Sequence, residues 1–208
     1  MARVKICGIT NKEDALRAVR LGAWALGFIF YKKSPRHVAP EAAKKIIAAL
    51  PKKVISVGVF VDASEQEIRS IIKSCGLKAI QLHGHETPDF CAQFKNVVTI
   101  KAIVIKTKLD MKKASLYKTD FLLFDTYKKG FFGGTGKCFD WDVLKNNPKM
   151  LKKSILSGGL NPSNIRKAVS SIKAHAFDVS SGVEKRPGKK CQRLLKKFFM
   201  QAKDGGAS

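Results

Sequence analysis

Short apolar runs alternate with amphipathic segments along the whole chain. Eight runs read as strands: Val4–Cys7, Ala25–Phe30, Val54–Phe60, Ala79–Leu82, Val97–Ile103, Phe121–Asp125, Ser154–Leu156 and Ala176–Val179. Val54–Phe60 carries apolar residues at odd and even positions, which fits a parallel strand covered on both faces. Between the runs, apolar residues recur at helical spacing. Ile68, Ile71, Ile72 and Cys75 form one stripe, and Ala43, Ile46, Ile47 and Leu50 another. Ile165, Ala168, Val169 and Ile172 repeat it, as do Leu194, Leu195 and Phe198. Ser64 with Glu67, and Thr10 with Glu13, match the capping box that opens a helix. Thr87-Pro88 and Asn161-Pro162 put proline at a first helical position, where its missing N–H costs nothing. Eight strand–helix units without a break predict an α/β fold, a single closed (β/α)8 barrel; an open doubly wound sheet is the alternative. The barrel domain spans residues 1–203, and 204–208 read as a flexible tail.

Composition narrows the class. The 208 residues are enough for one real core, and 45% hydrophobic content is ordinary for a globular protein. The longest apolar stretch, Leu21 to Tyr31, is about half the roughly 20 residues a membrane helix needs. With no signal-peptide pattern at the start, the expectation is a cytoplasmic protein with no membrane partner. Cys7, Cys75, Cys91, Cys138 and Cys191 show no metal or disulfide spacing, so free thiols are expected. The net charge of +24 comes from lysines scattered as pairs rather than from a basic block. That argues for a solvated surface that also steers an anionic substrate, and against specific nucleic-acid binding.

In a barrel, the C-terminal strand ends line the active-site mouth. Those ends carry Cys7, Asp62, His83, Asp125, Gly158-Gly159 and Ser180-Ser181-Gly182, with Arg36 in the loop after strand 2. A thiol and a carboxylate across a mouth can act as base and acid. Asp125 also fits a plain turn carboxylate. The glycine turns after strands 7 and 8 suit a phosphate held by backbone N–H groups. Arg36 offers a planar fork for a carboxylate. His83 and His85 lack metal-like partners, so a polar pocket role is expected for His83. Gly133-Gly134-Thr135-Gly136-Lys137 fails the P-loop pattern because Cys138 stands where Ser or Thr is needed. It reads instead as a glycine loop beside Asp125, part of a candidate lid over Gly130–Lys137.

Taken together, Lys5-Ile6-Cys7-Gly8-Ile9-Thr10, Ser34-Pro35-Arg36, Val57-Gly58-Val59-Phe60-Val61 and Gln81-Leu82-His83-Gly84 resemble the phosphoribosylanthranilate isomerase family. So do the Gly133–Lys137 loop with Phe139-Asp140-Trp141, Leu156-Ser157-Gly158-Gly159-Leu160, and Asp178-Val179-Ser180-Ser181-Gly182-Val183-Glu184. The motifs stand in family order over nearly the whole chain. The resemblance implies a barrel of the ribulose-phosphate-binding type and an Amadori rearrangement in tryptophan biosynthesis. It implies Cys7 as general base and Asp125 as general acid. Arg36 would bind the substrate carboxylate, and Gly158, Gly159, Ser180, Ser181 and Gly182 the phosphate; His83 and Asp178 would line the pocket. The partner is then a small anionic sugar phosphate, with no metal or organic cofactor. Monomer and homodimer both stay open. One departure stands out: the family commonly reads Gly-x-Lys-Asp, where this chain has Gly188-Lys189-Lys190-Cys191. That position starts the last helix, so a lost cap or charge interaction is expected there rather than lost chemistry. A sibling barrel such as indole-glycerol-phosphate synthase would need a lysine and glutamate set that is not laid out here. A basic RNA-associated protein on an inactive barrel is the non-enzyme alternative.

Overall fold

In a computed structural model, which describes residues 2–104, 112–125 and 148–206, the apolar runs become strands that pair in chain order. β1 (Val4–Ile6), β2 (Ala25–Ile29), β3 (Ile55–Phe60), β4 (Ala79–Leu82), β5 (Val98–Val104), β6 (Phe121–Asp125), β7 (Ser154–Leu156) and β8 (Ala176–Val179) form one closed parallel barrel. The ring shuts where Val4, Lys5 and Ile6 pair with Phe177, Asp178 and Val179. Every strand boundary falls within one residue of the run read from the sequence.

Helices α1 (Lys12–Leu21), α2 (Pro40–Ala48), α3 (Glu65–Cys75), α4 (Pro88–Cys91), α5 (Pro148–Leu151), α6 (Ile165–Ser171) and α7 (Gln192–Asp204) lie between or after the strands. Ser64 Oγ accepts the Glu67 N–H at 3.2 Å and opens α3 as expected. α1 corrects the reading: its cap is Asn11, whose Oδ1 accepts the Asp14 N–H at 2.9 Å. The Thr10 hydroxyl is diverted to the Gly188 carbonyl at the far end of the chain, a partner that no local pattern reveals. Pro162 lies in a turn ahead of α6, not at its first position. At the C-terminus, Asp204 is still helical and Gly205 is buried against the Arg166 carbonyl, so packed chain runs past residue 203. The polar, small-residue composition had made that stretch look like a tail.

The core has two parts because side chains alternate across a strand. Ala25, Val57, Ala79, Ile100, Leu123, Ile155 and Ala176 fill the barrel interior. Trp24, Phe121 and His175 stack beneath them, with the Phe121 and His175 rings 4.4 Å apart. The opposite strand faces and the helices make the outer core, which includes Ile6, Leu26, Ile80, Phe124, Phe177 and Phe198. Lys101 points into that outer layer, where its Nζ meets Glu86 Oε2 at 2.7 Å and the carbonyls of Leu82 and Gly84. It is a buried brace, remote in role from the mouth.

After β8 come a 3-10 turn, Ser181–Val183, and a small antiparallel hairpin, β9 (Glu184–Arg186) with β10 (Lys189–Lys190). The candidate lid Gly130–Lys137, the apolar pair Phe131-Phe132 and the Phe139-Asp140-Trp141 motif lie outside the described residues. Among the described residues, no helix is long and apolar enough to cross a membrane.

Candidate active site

The period-two rule that fills the interior also builds the site. Lys5 is in register with Ala25 and Asp178 with Lys5, so both face inward, and Cys7 follows two residues after Lys5. Gln81 and His83 continue the parity of Ala79, Asp125 that of Leu123, and Ser157 that of Ile155. A thiol, two carboxylates, an imidazole and a lysine thus converge at the C-terminal end of one barrel.

Cys7 directly follows β1 with its N–H on the Val179 carbonyl at 2.9 Å, and it is only 6% exposed. Burial pushes its thiol up from the ordinary range and Asp178 adds to that, while Lys5 and Lys190 pull the other way. Lys5 is fully buried, and its Nζ lies 2.8 Å from Asp178 Oδ1. Asp178 also accepts the Ser157 hydroxyl at 3.2 Å. Burial works against the Lys5 charge, but Asp178 and Cys7 outweigh it and hold the ammonium above its usual value.

Asp125 is the last residue of β6 and half-buried. Its Oδ2 is 3.5 Å from His83 Nε2, and Gln81 Nε2 is 2.8 Å from His83 Nδ1. Gln81 thus holds one ring nitrogen of His83 while the other faces the Asp125 carboxylate. Asp62, by contrast, turns to His85 at the rim: it accepts the His85 N–H and lies 3.1 Å from its Nδ1. That pair takes no part in the cluster.

The two glycine turns meet. Gly158 and Gly159 adopt positive φ after β7, a conformation that favours glycine. Gly182, in the turn after β8, lies so close to the β7 loop that a Cβ would run into the Leu160 carbonyl oxygen. The Ser180 hydroxyl is buried with no hydrogen-bond partner among the described residues.

Arg36 does not stand open in the pocket. Its Nε and Nη2 grip Glu184 at 2.7–3.0 Å. Lys190 Nζ reaches the same carboxylate at 2.9 Å and also donates to the carbonyls of Cys7 and Ser180. Burial raises the Glu184 carboxyl, but the bonds from Arg36 and Lys190 prevail and hold it below the usual carboxylate range. Burial lowers Lys190 despite Glu184. This knot ties the ends of β1 and β8 to the β9–β10 hairpin and fixes the guanidinium at the rim.

Residues 4–201 match the N-(5'-phosphoribosyl)anthranilate (PRA) isomerase family. The chain belongs to that family. An N-(5'-phosphoribosyl)anthranilate isomerase from Thermotoga neapolitana is 46% identical over 98% of this chain and 99% of its own. The crystal structure of the phosphoribosyl anthranilate isomerase from Thermotoga maritima superposes with a TM-score of 0.92 at 43% identity, over 98% of this chain and 99% of that one. Another crystal structure of the isomerase holds reduced 1-(o-carboxyphenylamino)-1-deoxyribulose 5-phosphate; it aligns at a TM-score of 0.89 and 42% identity over the same shares. This chain is therefore an isomerase of tryptophan biosynthesis, built on the barrel that its sequence pattern predicts.

Within this isomerase frame, four residues have parts that the sequence pattern does not reveal. Lys5 passed as an ordinary strand residue, although a lysine between Val4 and Ile6 signals a buried charge in need of a partner. Lys190 and Glu184 were within quoted or flanking motifs, but their contact with Arg36 spans the chain ends. Gln81 stands in the Gln81–Gly84 motif, and nothing in the local pattern points to its contact with His83.

Proposed function

We propose that this chain converts N-(5-phosphoribosyl)anthranilate to 1-(2-carboxyphenylamino)-1-deoxyribulose 5-phosphate by acid–base catalysis. The observation that carries the proposal is the shared inward parity of Cys7 and Asp125 at the mouth of one barrel. The bound compound of the solved relative has the same carbon skeleton, a carboxyphenylamino group on a deoxyribulose phosphate.

Asp125 gives a proton to the furanose ring oxygen. The C1–O bond breaks and the anilino nitrogen supplies its electron pair, leaving a protonated imine. That cation acidifies the hydrogen at C2. Cys7, as thiolate, takes this proton, and the C2–H electrons form the C1–C2 double bond of an enolamine. Loss of the O2 proton and protonation at C1 give the ketone. One hydrogen has moved from C2 to C1, so no external oxidant is consumed. Each positioned acid or base of this kind contributes typically about 10²–10⁴-fold.

Cys7 at rest favours the thiol because it is buried. The protonated imine would arrive as a positive charge beside it, at the moment the base is needed. His83 stands beside Asp125 and can orient its carboxylate. The touching turns at Gly158–Leu160 and Ser180–Gly182 suit the phosphate, and Arg36, steadied by Glu184, the anthranilate carboxylate. The substrate is anionic at both ends, in keeping with the net charge of +24.

The test is the fluorescence decay of phosphoribosylanthranilate, generated in situ, on adding purified protein. Wild type should consume it. Cys7→Ala and Asp125→Asn should each lose about two orders of magnitude or more in kcat while still binding substrate. Near-wild-type turnover in either variant would remove that residue from the scheme. No decay with the folded wild type would reject the substrate.

A further inference from the structure

Cys7 must be ionised before it can take a proton, and its surroundings are dry. The groups facing it are Lys5 from β1, Asp178 from β8 and Lys190 from β10. Two of them are cations, and their hydrogen bonding separates their roles. An ammonium has three N–H donors. Lys190 directs its own at three oxygens: Cys7 O, Ser180 O and Glu184 Oε1. It is committed to the backbone and to the Arg36 knot. Lys5 has a single oxygen partner among the described residues, Asp178 Oδ1 at 2.8 Å. Cys7 is the other group that favours its charge.

The neighbouring strand makes room for that contact. A Cβ at Gly27 would stand 2.7 Å from Cys7 Sγ and 3.2 Å from Lys5 Nζ. Sulfur and ammonium therefore flank the same point of the β2 backbone, and a side chain there would be driven between them. Asp178 is held in turn by Ser157 Oγ at 3.2 Å, so the ammonium is braced from below rather than free to swing. A fully buried lysine on a strand three residues long is a costly choice unless its charge is used.

We infer that Lys5 is the positioning residue for the base: braced by Asp178, it supplies the fixed ammonium against which Cys7 becomes a thiolate. Its catalytic consequence rests on the isomerase reading above; its electrostatic content does not. Lys5 stays charged through the reaction and exchanges no proton with substrate, because Asp178 stabilises the ammonium in place. Loss of the lysine leaves Cys7 beside a bare carboxylate. Loss of the lysine and the carboxylate together removes both charges and leaves the thiol in its dry pocket without the ammonium.

The experiment follows the ultraviolet absorbance of the thiolate against pH in the full-length protein. Each variant is measured against its own Cys7→Ser counterpart, which cancels the other thiols. Lys5→Met should move the Cys7 midpoint upward by about one pH unit or more, the size expected for losing an opposite charge at contact range. The ascending, acidic limb of the kcat profile should move upward with it, lowering turnover at neutral pH by about tenfold or more. Should Lys5→Met fail to fold with Asp178 left unpaired, Lys5→Met/Asp178→Asn carries the test, with a smaller upward shift in the same direction. A Cys7 midpoint unchanged in the folded double variant would overturn the inference. A shifted midpoint in a protein that does not consume phosphoribosylanthranilate would fell the proposed substrate and leave the Lys5 inference standing.

Discussion

Cys191→Asp should make this protein more stable. Cys191 is the N-cap of α7, with extended backbone (φ −97°, ψ 118°) that needs no change to accept a capping residue. Its carbonyl already receives the Leu195 N–H at 2.9 Å, and its own N–H is fixed on the Val183 carbonyl at 2.8 Å. No side chain caps this helix, and its first turn has no acidic residue, only Gln192 and Arg193 ahead of the apolar stripe. Asn11, Ser64 and Thr87 do this work for α1, α3 and α4. An Asp carboxylate would accept an orphan N–H of the first turn, worth typically about 1 kcal/mol. Its charge at the positive end of the helix adds about 0.5 kcal/mol, and Arg193 supports it. The nearby Asp14, which accepts the Lys190 N–H at 2.9 Å, subtracts part of the charge effect. A gain of about 1–1.5 kcal/mol corresponds to a rise of roughly 2–6 °C in Tm for a chain of this size. Cys191→Asn separates the hydrogen bond from the charge and should recover about two thirds of the gain, on the same capping scale. Thermal unfolding followed by circular dichroism reads all three proteins. If neither variant melts above wild type, the first turn of α7 is satisfied by other means and the capping argument is wrong.

Gly182→Ala should separate the two glycine turns, because its methyl group would meet the Leu160 carbonyl oxygen; we expect KM for the phosphorylated substrate to rise about tenfold or more with the fold intact. An unchanged KM would show that the turns need not touch. Arg36→Met removes the charged fork and should raise KM by about 10–100-fold with a smaller effect on kcat, measured under steady-state conditions. Acid should weaken the Arg36–Glu184–Lys190 knot. Glu184 is held below its unfolded value of 4.5, so the unfolded chain binds more protons in the window beneath that pH. The stabilisation is complete above about pH 4.5 and is lost as pH falls through the folded value. Melting temperatures taken across that range should therefore fall more steeply for wild type than for Glu184→Gln, which starts less stable at neutral pH. Parallel curves would exclude the knot as a source of acid sensitivity.

The fold was legible because each strand is short, apolar and followed by a helical stripe. Ile68, Ile71 and Cys75, read as one face, are all buried in α3. Cys7 and Asp125 were legible by position, since both stand at the last turn of a strand reading. What escaped was whatever depends on distant pairing. Thr10 has a good local capping pattern, yet its hydroxyl answers to Gly188. Arg36 reads as a free fork, yet Glu184 holds it from the other end of the chain. Lys5 is unremarkable until barrel closure sets it against Asp178. Local pattern reports periodicity and caps; it does not report which charge a closing sheet will bring opposite another.

The seam between β1 and β8 has a consequence for the life of the chain. Lys190 reaches back to the Cys7 carbonyl across 183 residues, and the Lys5–Asp178 pair spans 173. Asp178 and Lys190 are therefore translated long after Cys7 and Lys5. A nascent chain can build most of its ring and still own no site. The seam closes only after Asp178 and Lys190 have been made, so the thiol passes its exposed youth beside a lysine that has not yet met its carboxylate.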